Sequence, residues 1–167
     1  QQVLASAESA LARAEARGAF SVEVVDLAEP HQVILGEDQW RQRLAATLAA
    51  QRVQLMRFPV LDQQSKLVHF ECPTRLQLDS GEEFEPAAHW LPMALRCGVI
   101  SQIDETAVSL ALSQITMDGQ DRGVNVSPAS LMDSGFIPRL RSHLLAMPEA
   151  AGRLWLEVAE SAAVEHF

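Results

Sequence analysis

At 167 residues and 18.3 kDa, the chain is long enough for one ordinary domain with a fragment of another. Hydrophobic residues make up 48% of the sequence, which supplies material for a core and excludes general disorder. The 13 Lys and Arg against 22 Asp and Glu give a net charge of −9. This balance argues against a nucleic-acid polymer as a partner, although one or two arginines could still hold a small phosphate ligand.

The cysteines and the apolar runs place the chain in a reducing, aqueous compartment. Cys72 and Cys97 are isolated and lack metal-site spacing, so we expect them to serve in packing. No apolar run approaches the roughly 20 residues that span a bilayer, and no signal-peptide pattern opens the chain. We therefore predict a cytoplasmic protein. Because the chain starts at Gln1 and stops at Phe167 without a turn or tail, we expect an excerpt of a longer one.

The N-terminal part predicts a helix, a short strand and a linker. Helical spacing extends over residues 3–17 and Gly18 follows it, as is typical of a helix C-terminus. The predicted buried face consists of Leu4, Ala7, Leu11 and Ala14. Alternation over residues 20–24 predicts a strand, and the aperiodic residues 26–36 predict a linker.

After the linker, the periodicity predicts a helix and then two strands. Asp38 can cap the helix, and the strands cover residues 53–61 and 67–72. Pro59 favours an edge, a bulge or an end within the first strand, and Pro73 should end the second. Because only residues 62–66 separate the two strands, we expect an antiparallel hairpin.

The remainder alternates between helices and apolar strands. The predicted elements are a helix with Pro86 in its first turn and Gly98 at its end, a helix with Ser101 or Asp104 near its start, a strand over 124–126, a helix capped by Ser127 and broken at Pro148, and a strand over 154–158. Such alternation is typical of an α/β fold whose parallel sheet is wrapped by helices, in barrel or doubly wound form. Four strands are too few to close an eight-stranded barrel of about 250 residues.

Three strands end, or nearly end, in an oxygen-bearing side chain: Glu71, Asn125 and Glu157. In an α/β barrel, active sites gather at the C-terminal ends of strands, and two carboxylates with one amide suit Mg²⁺, Mn²⁺ or Ca²⁺. Arg75, four residues after Glu71, could face a phosphate. Simpler interpretations exist: a solvated strand end with a surface partner for Glu71 and Arg75, a helix cap for Asn125, and a paired buried carboxylate for Glu157.

Five short segments follow one another in a set order. They are Arg57-Phe58-Pro59, Glu71-Cys72-Pro73-Thr74-Arg75, Trp90-Leu91-Pro92-Met93-Ala94, Asn125-Val126-Ser127 and Glu157-Val158-Ala159-Glu160-Ser161. In this order they resemble the motifs of the first half of an EAL domain, the cyclic-di-GMP phosphodiesterase family. Residues 5–24 resemble the last helix and strand of a GGDEF domain. We therefore predict a degenerate GGDEF tail at 1–25, a linker at 26–36 and half of an EAL domain at 37–167.

The resemblance implies a partial TIM-like barrel with an antiparallel first strand, preceded by a helix-strand fragment. It implies that Glu71, Asn125 and Glu157 hold a divalent metal, Mg²⁺ or Mn²⁺ in an active member and none in a silent one. It also implies that Arg75 contacts a ligand phosphate and that Glu160 steadies a loop near the metals. In active members, two metals activate water to cleave the phosphodiester and give linear pGpG.

Two positions depart from the family pattern at the expected ligand site. Phe58 stands where the family has a glutamine, and Pro73 stands where it has the signature leucine. Phe58 offers no hydrogen bond, and Pro73 restricts the backbone beside Glu71. Because a misplacement of about 1 Å can cost about a hundredfold in rate, these changes affect catalysis more than binding. The pattern resembles LapD-type cyclic-di-GMP receptors.

Three functions remain open. The first is a degenerate receptor that binds cyclic-di-GMP, the second an active metal-dependent phosphodiesterase, and the third a ligand-free dimerisation module. We expect a homodimer, and a full-length protein attached to the inner membrane upstream of this part. Because half a barrel leaves strand edges unpaired, we expect the rest of the barrel or a second copy to cover the open edge.

Overall fold

The computed structural model describes residues 2–18, 21–23 and 35–158. The helices are α1 (Gln2–Arg17), α2 (Glu37–Ala49), α3 (Ala87–Arg96), α4 (Ile100–Asp118), α5 (Pro128–Met132), α6 (Phe136–Ala146) and α7 (Pro148–Ala151). The strands are β1 (Val53–Leu55), β2 (Phe58–Leu61), β3 (Leu67–Glu71), β4 (Thr74–Leu76), β5 (Glu85–Pro86), β6 (Arg122–Asn125) and β7 (Leu154–Glu157). No helix in these ranges combines the length and apolarity that crossing a membrane requires.

The main sheet has four strands in the order β2-β3-β6-β7. Strand β2 runs antiparallel to β3, whereas β3, β6 and β7 are mutually parallel. The predicted hairpin is confirmed: the Asp62 amide donates to the Lys66 carbonyl at 2.9 Å, and Asp62 Oδ1 accepts from the amides of Gln64 and Lys66. This partial α/β barrel with an antiparallel first strand is the predicted fold class.

The predicted single strand over residues 53–61 is wrong, because the chain forms β1 and β2 with a break between them. Between the pairs Leu55↔Thr74 and Phe58↔Glu71, residues 56–57 and 72–73 form no ladder pairs. Pro73 therefore interrupts the ladder without ending it. The Met56 amide still donates to the Pro73 carbonyl at 3.0 Å, and β4 then pairs with β1 and β5 in a second sheet that the sequence did not predict.

Helix α4 covers the outer face of the main sheet. Its buried apolar residues lie at helical spacing and pack against the buried side chains of β3, β6 and their flanks. This cluster comprises Leu55, Cys72, Ala107, Val108, Ala111, Leu112, Ile115, Val124 and Ala150. Cys72 and Cys97 are free and buried, which agrees with the predicted packing role. Because the sheet face that α4 covers forms the hydrophobic core, the candidate site lies on the opposite face of the sheet.

Helix α1 packs on α3 through a face other than the predicted one. Leu4 and Leu11 are 65% and 47% exposed, whereas Ser6 and Ala12 are buried. The helix is therefore rotated toward its small residues, which allow close approach. Of the predicted strand at 20–24, only residues 21–23 are described and they are not in a strand; most of the linker at 26–36 lies outside the described residues.

Two helix starts differ from the prediction. Helix α2 is capped by Gly36 instead of Asp38, and α3 has Pro86 at its N-cap instead of inside its first turn. Helix α4 begins at Ile100, so Ser101 lies near its start as predicted, but neither Ser101 nor Asp104 caps the helix. The start of α5 is as predicted, since Ser127 Oγ accepts from the Ala129 amide at 3.3 Å.

Candidate functional site

The three predicted oxygen ligands lie along one edge of the main sheet. Glu71, Asn125 and Glu157 are the last residues of the parallel strands β3, β6 and β7. Asn125 pairs with Glu157, and Glu71 pairs with Gly123, two residues before Asn125. Since paired residues and residues two apart point to one face of a sheet, all three side chains belong to the face away from α4.

Phe58 extends this face onto the antiparallel strand. It lies directly opposite Glu71 in the β2–β3 ladder, and its side chain is 49% exposed. Directly opposed residues of an antiparallel pair share a face, so an aromatic ring stands beside the Glu71 carboxylate. The first wall of the site is therefore apolar.

Arg75 is held separately from the three oxygen ligands. It lies on β4 of the smaller sheet, opposite Gln54 and Pro86, and its Nη1 donates to the Phe84 carbonyl at 3.3 Å. Among the described residues no carboxylate pairs with Arg75, as would be needed for its charge to meet a phosphate. Glu160 lies outside the described residues.

A second layer of side chains lies one step deeper on the same face. His69, Gly123 and Trp155 each precede one of the three ligand positions by two residues. The rings of His69 and Trp155 are stacked, with centroids 5.0 Å apart and planes at 17°. His69 is only 9% exposed, whereas Trp155 is 48% exposed. The stack thus forms a floor beneath the edge.

Gly123 opens the space in which the polar groups of the floor meet. A Cβ at this position would lie 2.7 Å from Glu157 Oε1 and 3.2 Å from His69 Cδ2 and Nε2. His69 Nε2 and Glu157 Oε1 are 3.4 Å apart. Both imidazole nitrogens are buried and have no hydrogen-bond partner among the described residues. The absence of a side chain at residue 123 is therefore what lets the Glu157 carboxylate fold over the strand.

A buried carboxylate fixes the turn that follows Asn125. Asp104 Oδ2 accepts from the Ser127 amide at 2.7 Å and from Ser130 Oγ at 2.6 Å. Burial raises the pKa of Asp104 above its ordinary value, against the opposing effect of these two hydrogen bonds. The start of α5, and with it the end of β6, is thereby tied to α4.

The other end of β6 is anchored by a buried guanidinium. Arg122, 1% exposed, donates from Nη1 and Nη2 to the two carboxylate oxygens of Asp118 at 2.8 and 2.7 Å, and from Nε to Gln114 Oε1 at 3.1 Å. The Arg122 hydrogen bonds hold the pKa of Asp118 well below its usual range. The strand that carries Gly123 and Asn125 is therefore fixed at both ends.

Three adjacent parallel strands end in Glu71, Asn125 and Glu157, which is the order that the resemblance to the EAL family predicts. A model of the EAL domain family matches residues 41–167 of the chain. This chain belongs to the EAL domain family. A search of curated proteins finds no match.

Several solved structures share this fold. The Vibrio cholerae LapD S helix-GGDEF-EAL protein bound to c-di-GMP is 17% identical, with a TM-score of 0.83 over 99% of this chain and 40% of that one. The Xanthomonas citri FimX EAL domain in complex with c-di-GMP is 25% identical, with a TM-score of 0.67 over 78% and 52%. The PaMucR phosphodiesterase, also a c-di-GMP complex, is 25% identical, with a TM-score of 0.65 over 77% and 54%. The chain thus spans roughly half or less of these proteins.

The donor set of this EAL domain fits a hard cation in type. The edge offers two carboxylates and one amide oxygen, which suit Mg²⁺ or Mn²⁺. Within residues 2–18, 21–23 and 35–158, however, no three His, Cys, Asp or Glu side chains converge to hold a metal ion. A cation held by these residues would therefore need the Asn125 amide, water or ligand oxygens as well.

Sequence reasoning missed the deeper layer of this EAL domain. His69, Gly123 and Trp155 were assigned no role, although each stands two residues before a predicted ligand. Because the side-chain period of a strand is two, that offset was a usable signal. The pairing of the strands, which the sequence does not state, is what brings the three residues together.

Proposed function

We propose that this EAL domain binds cyclic di-GMP as a signalling receptor and has little or no phosphodiesterase activity. The observation that carries the proposal is Phe58, half-exposed and directly opposite Glu71 on the face that bears Asn125 and Glu157. An apolar ring can stack on a nucleobase but cannot orient a phosphate or water by hydrogen bonding. The c-di-GMP complexes of the FimX EAL domain and of the PaMucR phosphodiesterase support the choice of nucleotide.

The residues that bind would divide between phosphate and base. Arg75 would contact a ligand phosphate, since its one described hydrogen bond, to the Phe84 carbonyl, leaves most of its guanidinium N–H donors available. Phe58 would lie against a base, and Pro73, between β3 and β4, would fix the backbone that separates Glu71 from Arg75.

An active phosphodiesterase is the second candidate, because Glu71, Asn125 and Glu157 end adjacent parallel strands on one face. The two carboxylates and the amide would hold Mg²⁺ or Mn²⁺. Bound there, the cation would supply an activated water and charge neutralisation for phosphodiester cleavage. In this candidate, Arg75 would orient the scissile phosphate.

Calorimetry with cyclic di-GMP tests the receptor proposal. We expect binding by the wild type, and binding weakened about 10- to 100-fold by Arg75→Ala, as for loss of a charge-assisted hydrogen bond. Arg41→Ala is the matched control, since Arg41 is paired with Glu37 and Asp38 on the distant helix α2. No binding at high micromolar nucleotide would refute the proposal.

A hydrolysis assay separates the two candidates. Under the receptor proposal, wild type with Mg²⁺ or Mn²⁺ gives no sustained conversion of cyclic di-GMP to pGpG. Phe58→Gln combined with Pro73→Leu should raise any hydrolysis, because these changes return a hydrogen-bonding side chain and a free backbone to the site. Sustained turnover by the wild type would instead establish the enzyme.

A further inference from the structure

His69 is a buried polar side chain for which the packing gives no reason. It is 9% exposed, and neither Nδ1 nor Nε2 has a hydrogen-bond partner among the described residues. Leaving a buried polar group unsatisfied costs about 1–3 kcal/mol. An apolar ring would stack on Trp155 without this cost, so the imidazole nitrogens themselves need a partner.

The surroundings of the ring identify that partner. His69 Nε2 lies 3.4 Å from Glu157 Oε1, slightly beyond good hydrogen-bond length. Stacking on Trp155, with centroids 5.0 Å apart, fixes the plane of the imidazole. Gly123, on the strand between those of His69 and Glu157, leaves room for these two side chains to approach each other, because a Cβ at residue 123 would lie within 3.2 Å of both.

We propose that His69 is the positioning residue for the Glu157 carboxylate. With its proton on Nε2, the imidazole donates to one carboxylate oxygen and leaves the other directed toward the edge where Asn125 lies. Carboxylates that bind a cation are commonly oriented by a hydrogen bond from a neighbouring side chain. The inference rests on the proposed role of Glu157 at the ligand-binding edge, and it deepens that role by adding a residue that touches neither cation nor nucleotide.

The test measures Mn²⁺ affinity by titration for three proteins in addition to the wild type. His69→Phe keeps the stack on Trp155 and removes both nitrogens, whereas His69→Gln keeps a donor of similar reach. His89→Phe makes the same change at a surface histidine on α3, next to Glu85. Thermal melts of all four proteins check that each variant is folded.

We expect His69→Phe to weaken Mn²⁺ binding about 10- to 100-fold, as is usual for groups that support a cation ligand. His69→Gln should regain most of the affinity, and His89→Phe should match the wild type. A merely structural histidine would give the opposite pattern: Phe tolerated, with unchanged Mn²⁺ affinity. Any one of three results would overturn the inference: that opposite pattern, equal losses of affinity in the Phe and Gln variants, or a wild type that binds no Mn²⁺.

Cyclic di-GMP binding in the presence of a chelator keeps the two proposals distinguishable. Nucleotide binding that persists while His69→Phe leaves Mn²⁺ affinity unchanged would refute only the role of His69. Mn²⁺ binding that depends on His69, in a protein that does not bind the nucleotide, would refute only the receptor proposal.

Discussion

Adding one methyl group at Gly123 should displace the Glu157 carboxylate without unfolding the protein. In Gly123→Ala the new Cβ would meet Glu157 Oε1 at 2.7 Å, whereas ordinary contact begins near 3.4 Å, so the oxygen must retreat by roughly 0.7 Å. The backbone at residue 123 does not have a positive φ, so alanine is sterically allowed there. The nearest obstructing atom ends the flexible Glu157 side chain, and the contact with the stacked His69 ring, at 3.2 Å, requires a shift of only a few tenths of an ångström, which keeps the cost in stability small.

The expected consequence is a loss at the site with little change in the fold. Disturbing the groups that hold a cation ligand in place typically costs about 10- to 100-fold in metal affinity, so we expect Mn²⁺ affinity to fall at least about tenfold. Because alanine also restricts the unfolded chain, by about 0.4–1 kcal/mol, the free energy of unfolding should change by less than about 1 kcal/mol.

Titration with Mn²⁺ and urea unfolding check the two halves of this prediction. Gly152→Ala is the matched control, because a Cβ there meets its nearest atom, the Glu149 carbonyl oxygen, at an ordinary 3.6 Å. Wild-type Mn²⁺ affinity in Gly123→Ala would show that the carboxylate need not occupy this space. A loss of several kcal/mol in stability would show that the strand, not the side chain, absorbs the clash.

The carboxylates of Asp104 and Asp118 should give opposite pH dependences. Burial raises the pKa of Asp104, so the contribution of Asp104 to stability falls as pH rises above the ordinary carboxyl range. Asp104→Asn keeps an oxygen acceptor for Ser127 and Ser130 but does not ionise. Urea unfolding of this variant at several pH values should therefore no longer show the fall in stability. A variant with the wild-type pH slope would contradict this. Arg122 lowers the pKa of Asp118, so its contribution is present above the ordinary carboxyl pKa and lost as pH falls through the lowered value. Asp118→Asn should cost about 1–2 kcal/mol at neutral pH, between the values for a surface pair and a buried pair, because Asp118 is 35% exposed, and the difference should shrink in acid unfolding; a pH-independent difference would refute the ionic account.

The sequence predicted the site's edge because strand ends leave a local signal. Glu71 follows an alternating run, Asn125 precedes a Ser-Pro helix start, and Glu157 ends an apolar run. Each pattern concerns a few neighbouring residues. The structure places all three at the carboxyl ends of adjacent parallel strands, as a barrel requires.

The interior of the barrel could not be predicted from the same patterns. His69 alternates with Val68 and Phe70, which also describes a side chain facing water. Only the pairing of β3 with β6 and of β6 with β7 places His69 next to Glu157, and this pairing joins residues nearly 90 positions apart. Metal binding by the edge residues, and the GGDEF origin of residues 1–25, stay predictions.

The packing of α1 has a practical consequence for anyone who shortens this protein. Ala12 belongs to the buried cluster that includes Leu44 and Trp90, and Arg96 on α3 is ion-paired with both Glu15 of α1 and Glu37 of α2. A piece trimmed to the residues that match the family would expose this apolar surface and leave Arg96 without Glu15 and Glu37. The sensible place to cut for expression is therefore upstream of α1, whichever domain that helix descends from.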